Sequence, residues 1–462
     1  MQELNLGYHY PIIYWNTACL IINAGANEEF DDNKSTQYGK IAKAIANFKQ
    51  RSITVDRPLI NEAKFSFVPD EKNNRIIFSF KGLCGIGDDI ARAIVEHQPY
   101  SSFEDFCERL VDTKIIGTAK MIILIKAGCF NELDSPDRME TMKKFLSRNV
   151  FIPTDKLTMQ QFNSALEYDI FPKEMETMIR IKNFKAYALH ESCFLKNIID
   201  EGKKVPKKGY HDRYFALDER GTEFLMEHFN TCIVGTKEDG VIISEKLFNK
   251  EWDTLIQPLK DYMALPETLQ LYNQKKLDST MESYASGSLE QWDMESLSYY
   301  PDRHELWNLN EPKYGVVDYN LLSETPQVYQ YITRRIRGEI KHTPKFQIVR
   351  LAGTVLDSDN NKHLVTLLTN HGVVTCKYNK GQYSYYNKRI SEQTPAGKKK
   401  VLEESWFKRG SKIIVCGYRR EDQFVVTKYA DTVYTHTTNR IEEIYNDGTI
   451  LAQTDRKKVG ED

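Results

Sequence analysis

Phe80-Lys81-Gly82-Leu83-Cys84-Gly85-Ile86-Gly87 is the stretch on which the reading of this chain turns. Directly after it Ile90, Ala93 and Ile94 recur at helical spacing, so a glycine turn opens a helix. Glycine lets the backbone come close to a ligand, and the free N–H groups at a helix start suit a phosphate. Gly85 and Gly87 are therefore the candidate duplex phosphate-binding residues, in a helix-hairpin-helix contact with a nucleic-acid backbone. Asp88 and Asp89 oppose that reading, because carboxylates at the same helix start compete for the same donors. A tight turn that binds nothing is the plainer reading of these glycines, and the triplet alone does not choose between the two.

Working outward, Ser101-x-x-Glu104 can form a capping box ahead of Phe103, Phe106, Cys107 and Leu110, which share one helix face. A further helix is expected from Thr118 to Ala127, stopped by Gly128. Upstream, Lys64–Phe67 and Arg75–Phe78 flank a turn-like Asp70–Asn74 and predict a small hairpin. Residues 61–134 thus read as a helix-hairpin-helix duplex-binding module. Ile41, Ala44, Ile45 and Phe48 recur at helical spacing, so the first ~55 residues read as helical, with the pattern turning extended after Pro58. Residues 135–339 show helical patterns at Arg138–Leu146 and Lys173–Phe184 among polar turns, and read as a partly helical insert or linker without an assigned fold.

From Phe346 the period shifts to two. Strands are expected at Ile348–Leu356, His363–Thr369, Gly372–Tyr378, Lys412–Tyr418 and Gln423–Tyr429, with a helix-capable segment at Lys398–Phe407 before the fourth. Five such strands over 340–432 fit a barrel of the oligonucleotide-binding (OB) type, leaving 433–462 as a C-terminal tail. Within it, the 24 residues from Lys377 to Lys400 hold 7 basic side chains, one acid and 4 tyrosines. Cations for phosphates and flat rings for bases are what a single strand needs. The candidate single-strand DNA-binding residues are Lys377, Tyr378, Tyr383, Tyr385, Tyr386, Lys388, Arg389, Lys398, Lys399 and Lys400. A solvated loop on a barrel edge accounts for the same charge run.

Other chemistry is sparse. The 462 residues carry a net charge of −2, which excludes a uniformly basic nucleic-acid coat. The apolar stretch Tyr10–Ala24 is broken by Pro11, Asn16, Thr17 and Asn23, so neither a signal peptide nor a membrane span is expected. The 8 cysteines form no C-x-x-C pair and read as reduced cytoplasmic thiols. Asp357-Ser358-Asp359 reads as a turn former, and no catalytic or metal-binding residue is assigned. Gln274-Lys275-Lys276-Leu277 lies where a sliding-clamp peptide would be sought, without the aromatic end such a peptide needs.

Several of these segments, in order, resemble the C-family bacterial replicative DNA polymerases, the DNA polymerase III alpha subunits. Tyr14-Trp15-Asn16-Thr17-Ala18-Cys19-Leu20 is similar to the Y-Q-T-A-x-L of the family's fingers helix. Val55-Asp56-Arg57-Pro58-Leu59-Ile60-Asn61 resembles L-P-P-D-I-N, and Phe80–Gly87 resembles the I-K-G-V-G hairpin. Leu124-Ile125-Lys126-Ala127-Gly128-Cys129-Phe130 is similar to L-I-K-A-G-A-F. Met294–Tyr300 is similar to E-x-L-G-x-Y-L, and Leu351–Val355 to the A-G-x-V that opens the family's barrel. The likeness covers about residues 5–134, 290–306 and 346–430. Residues 135–280 match poorly and read as an insertion. Where the family has lysine-serine-histidine before the fingers helix, this chain has Leu4-Asn5-Leu6.

The resemblance implies a multidomain α+β chain: a helical fingers remnant over 1–60, the helix-hairpin-helix module, a mainly helical middle region and an OB-type barrel. It implies a C-terminal subunit or fragment of a DNA-directed DNA polymerase, possessing no metal-binding carboxylates of its own. Its partners would be primer–template duplex, single-stranded template, and a polymerase chain carrying the palm, the N-terminal domains and the Mg, with a sliding clamp as a further candidate. The setting would be the cytoplasm of a bacterium or a virus-infected bacterial host. The alternative is a stand-alone DNA-binding or adaptor protein of the replication machinery.

Overall fold

In the computed structural model the described residues are 10–26, 36–49, 52–195, 213–237, 240–336, 339–393, 399–428 and 437–457. They mix helices and strands in two compact units. Met1–Met142 joins Gly287–Asp462 in the first, and Lys143–Ser286 makes the second from contiguous chain.

In the first unit, helix α1 (Ile12–Ala24) buries Ile13, Thr17 and Leu20 and is stopped by Gly25 in the left-handed conformation. Helix α2 (Tyr38–Lys49) follows. Strands β1 (Thr54–Asp56) and β2 (Val68–Asp70) flank β3 (Arg75–Ile77), parallel and antiparallel respectively. The hairpin therefore begins later than the expected Lys64–Phe67. Phe65 and Phe67 are both buried, and that segment packs into the core instead of forming a regular strand.

Three helices build the next layer: α3 (Asp88–Glu96), α4 (Phe103–Phe106, continued by a π-helical turn over Cys107–Val111) and α5 (Thr118–Ala127). The cap of α4 is Ser102, one residue beyond the expected Ser101, with Asp105 N–H donating to Ser102 Oγ at 3.1 Å. Gly128 closes α5 at φ 77°, as its position suggested.

Helix α6 (Leu289–Leu297) is fastened to this layer by a buried ion network. Arg57 grips both oxygens of Asp293 at 2.6 and 2.9 Å, and Arg138 donates to the same carboxylate at 2.5 Å. The two guanidiniums also donate to the carbonyls of Ala127 and Lys126, the last residues of α5. Those carbonyls have no helical partner, so cations there also favour the helix end. Burial works against the Arg57 charge, but Asp293 and Asp302 overcome it and hold the guanidinium more firmly protonated than usual.

The barrel closes from β6 (Val349–Asp359), β7 (Leu364–Thr369), β8 (Gly372–Lys377), β11 (Lys412–Arg420) and β12 (Gln423–Val426). β6, β7 and β8 form an antiparallel meander. β8 then pairs parallel with β12, β12 antiparallel with β11, and β11 antiparallel with β6. Alternate residues Leu351 and Val355, Val365 and Leu367, Val374 and Cys376 point inward, the period-2 signal of the sequence. The outer face is covered: Leu356, Leu368 and Val373 pack with Ala42, Ala46 and Tyr300, while Ala352 and Ile414 pack with Leu306 and Val316.

Three expectations about this region are corrected. The helix of the barrel is α7 (Lys380–Asn387), directly after the third strand; where Lys398–Phe407 was expected to be helical, residues 399–403 form strand β10, paired with β9 (Ile390–Gln393). The expected tail contributes β13 (Thr438–Ile444) and β14 (Ile450–Gln453), which extend the sheet from β11. Ahead of the barrel, within the expected linker, a long ribbon pairs β4 (Val328–Ile336) with β5 (Glu339–Phe346).

The second unit is not purely helical. A three-stranded antiparallel sheet places Gly240–Ser244 between Tyr214–Ala216 and Ile233–Lys237. Its core holds Phe184, Phe215, Phe229 and Phe248. Gln274–Leu277 lies inside the helix Pro266–Tyr284 with Leu277 buried, so it is not presented as a free clamp-binding peptide. Among the described residues no helix is long and apolar enough to cross a membrane.

Candidate nucleic-acid interface

Gly85 and Gly87 occupy the turn before α3 in different ways. Gly85 has φ +83°, and a Cβ there would stand 3.1 Å from Ile123 Cδ1 on α5, so this glycine is required by the turn. Gly87 caps α3 in extended geometry, and a Cβ on it would approach only Asp89 Oδ1, at an unstrained 3.9 Å. No side chain caps this helix start, and Asp88 is paired with Lys81. The turn is pinned from behind, since Cys84 N–H donates to Ser296 O at 2.8 Å and the buried Cys84 thiol lies 2.9 Å from Ser298 Oγ. Burial pushes that thiol up, which leaves it a packing group and not a nucleophile.

A second glycine-capped helix start stands beside the first. Gly117 precedes α5 with φ −81°, ψ 162°, close to the −83°, 167° of Gly87, and a Cβ on it would meet nothing within 4 Å. No acid lies in the first turn of α5. Lys120 reaches across to donate to Gly85 O at 2.5 Å, tying the two turns together. Sequence reasoning passed over Gly117, although Ile116-Gly117 before Met121 and Leu124 repeats the spacing of Ile86-Gly87 before Ala91 and Ile94. Of the two helix starts, that of α5 is electrostatically the better seat for an anion.

The basic stretch over 377–400 is not the stacking platform expected. Tyr378, Tyr383 and Tyr386 are 1%, 3% and 5% exposed and belong to the barrel core, so none presents a ring to a base. Tyr378 hydroxyl meets Thr438 Oγ1 at 3.0 Å, and Tyr386 stacks on Trp406. Only Tyr385, 50% exposed, keeps a free face. The cations divide as well. Lys377 folds back to donate to Lys362 O, and Arg389 pairs with Glu404 at 3.2 Å. Lys388 is exposed beside β9, while Lys399 and Lys400 are exposed on β10, the latter opposite Glu392. Lys398 lies outside the described residues, as do Leu4, Asn5 and Leu6.

The loop that carries these cations is locked from below. Arg456 is 5% exposed and pairs with the buried Glu403 at 2.8 Å, while its guanidinium also donates to the carbonyls of Tyr385, Tyr386 and Lys388. Trp406 Nε1–H donates to the other Glu403 oxygen at 2.6 Å. Burial pushes the Glu403 carboxyl up, but the hydrogen bonds from Arg456, Trp406 and the Lys457 N–H hold it below its ordinary value.

Asp359, in the one D-x-D, accepts from the N–H groups of Asn361 and Lys362 at 2.9 Å each, as a turn former does. Among the described residues no three His, Cys, Asp or Glu side chains are grouped so as to hold a metal ion.

The module carries two glycine-capped helix starts joined through Lys120, and residues 52–140 match the helix-hairpin-helix motif family. Two relatives are similar along nearly the whole chain. One is the probable DNA polymerase YorL of Bacillus subtilis (strain 168), and the other the DNA-directed DNA polymerase of Bacillus phage SPbeta. Each is 40% identical over 470 aligned residues, covering 99% of this chain and 34% of the relative. The chain thus spans about a third of the length of the curated relatives it matches.

Proposed function

We propose that this chain is the C-terminal part of a C-family replicative DNA polymerase of the DNA polymerase III alpha type, with the catalytic palm and its Mg on other polypeptide. The observation that carries the reading is the 40% identity, sustained over 99% of the chain, to DNA polymerases about three times as long. The exposed side chains of Tyr10, Ile12, Trp15 and Ile22 around α1 support it, as an apolar stripe on which further polypeptide of the fingers would pack. In this reading the helix-hairpin-helix module holds the primer–template duplex. Gly85 shapes its first turn, and the N–H groups after Gly87 and Gly117 meet phosphates.

The barrel's strand pairing, first to second to third to fifth to fourth and back to first, supports the OB type. Its covered outer face moves single-strand contact away from the sheet, to Tyr385, Lys388, Lys399 and Lys400 around the β9–β10 ribbon. The setting is the cytoplasm of a bacterium or phage-infected host. The test is primer extension with the 462-residue chain, alone and mixed with a polypeptide supplying the palm. Synthesis by the mixture alone is expected. Synthesis by the single chain would overturn the split, and duplex binding without synthesis in either case would favour a stand-alone DNA-binding adaptor.

A further inference from the structure

The ribbon of β4 and β5 is absorbed by neither the helix-hairpin-helix module nor the barrel. From residue 328 to 346 it carries five Lys or Arg and one Glu, a net +4 in a chain whose total is −2. None of its described side chains is buried, and Tyr329, Tyr331 and Ile340 are 66%, 61% and 64% exposed. A two-stranded hairpin without a core is marginal in water, so a ribbon of this length is completed by something that covers it.

Its register says what. Gln330 faces Lys345, Ile332 faces Thr343 and Arg334 faces Lys341, so these six residues share one face, which also takes in Glu339, two residues from Lys341, and keeps a net positive charge. Arg334 and Lys341 are directly opposed like charges, an arrangement that weakens a hairpin unless an anion lies between them. Among the described residues Arg334, Lys341 and Lys345 have no acidic partner. On the other face Arg335 stands with Tyr331, Thr333 and His342, where Thr333 Oγ1 and His342 Nδ1 hydrogen-bond at 2.9 Å across the strands.

We propose that this ribbon is a duplex-DNA contact, entering a groove with the Arg334–Lys341–Lys345 face toward the phosphates. It is a contact additional to the helix-hairpin-helix module, and it rests on the reading above that the chain binds DNA. A duplex is favoured over a protein partner because the charge is complementary to a polyanion on both faces, and the major groove admits a two-stranded ribbon. Tyr331 and Ile340, on the opposite face, supply apolar contact to sugars or thymine methyls.

The test uses the full chain and a labelled 20-base-pair duplex, with an oligothymidine of equal length beside it, in anisotropy titrations across a salt series. Replacing Arg334, Lys341 and Lys345 by Gln should weaken duplex binding about tenfold or more at 0.1 M salt and flatten the salt slope by up to about 0.9 per lost phosphate contact. Oligothymidine binding should change far less, and the thermal melt should not move. Lys156, Lys250 and Lys275→Gln, three exposed lysines of the second unit, give a control of equal charge. Unchanged duplex affinity in the ribbon variant, beside a wild type that binds, overturns the ribbon contact and leaves the proposed function standing. An equal loss in the control, or on both nucleic acids, overturns it too, by reducing the effect to net charge. A wild type that binds neither probe overturns both readings.

Discussion

Tyr383 and Tyr385 lie two residues apart in one basic run, yet one is in the barrel core and the other in solvent. Their alanine variants should therefore fail differently. Tyr383→Ala should destabilise the protein by about 3–5 kcal/mol, as a buried aromatic truncation does, visible as a lower melting temperature. Tyr385→Ala should leave the melt in place and weaken oligothymidine binding by about 1–3 kcal/mol if its ring stacks on a base. The distinction was partly legible: Tyr383 and Tyr386 are three apart, the spacing of one helix face, and Tyr385 falls off it. Charge composition concealed that spacing, because a run rich in lysine reads as surface throughout. The glycines separate in the same manner. Gly85→Ala should cost stability, since φ is +83° and Ile123 crowds the Cβ, whereas Gly87→Ala and Gly117→Ala should fold normally. Bulkier residues at Gly117 should then weaken duplex binding in a chain whose melt is unchanged, and equal affinity would remove the α5 helix start from the interface.

At the scale of elements, the barrel strands were readable where inward residues recur at alternate positions around a filled interior, as in Val365 and Leu367 or Val374 and Cys376, whereas β6 and β11 read as near-continuous apolar runs because their outer sides are covered too. The insert was not, because its short strands at Tyr214–Ala216 and Ile233–Lys237 have too few residues to show a period. Nor could periodicity reveal that α7 and β10 are held together by Arg456, a single distant residue that pairs with Glu403 and satisfies carbonyls on α7 and beside β9. Removing one member of the buried Glu403–Arg456 pair should cost about 3–5 kcal/mol, measurable by urea unfolding of Arg456→Ala. Because the Glu403 carboxyl is held below its ordinary value, its stabilisation is complete above the pKa of an unfolded glutamate, about 4.3, and fades as pH falls through the folded value. Glu403→Gln should flatten that part of the stability–pH curve, and an acid limb identical to wild type would show that other carboxylates set it.

For the molecule as a whole, the first unit is assembled from two stretches of chain separated by the second. The Asp293 carboxylate that binds Arg57 and Arg138 follows them by 236 and 155 residues. Breaking this knot with Asp293→Asn should lower the melting temperature, because the buried Arg138 loses its carboxylate partner and Arg57 keeps only Asp302. Retention of the wild-type melt would place the tie elsewhere. The same separation has a meaning in time. During synthesis at about 5–20 residues per second, roughly 8–30 s pass between the appearance of Arg138 and that of Asp293. The intervening unit is contiguous and has all its own partners by then, so it is free to finish first. The helix-hairpin-helix layer must wait on the ribosome with two buried-to-be cations unpaired, and this interval is the period in which nascent chains of this protein are open to chaperones, proteases and misfolding.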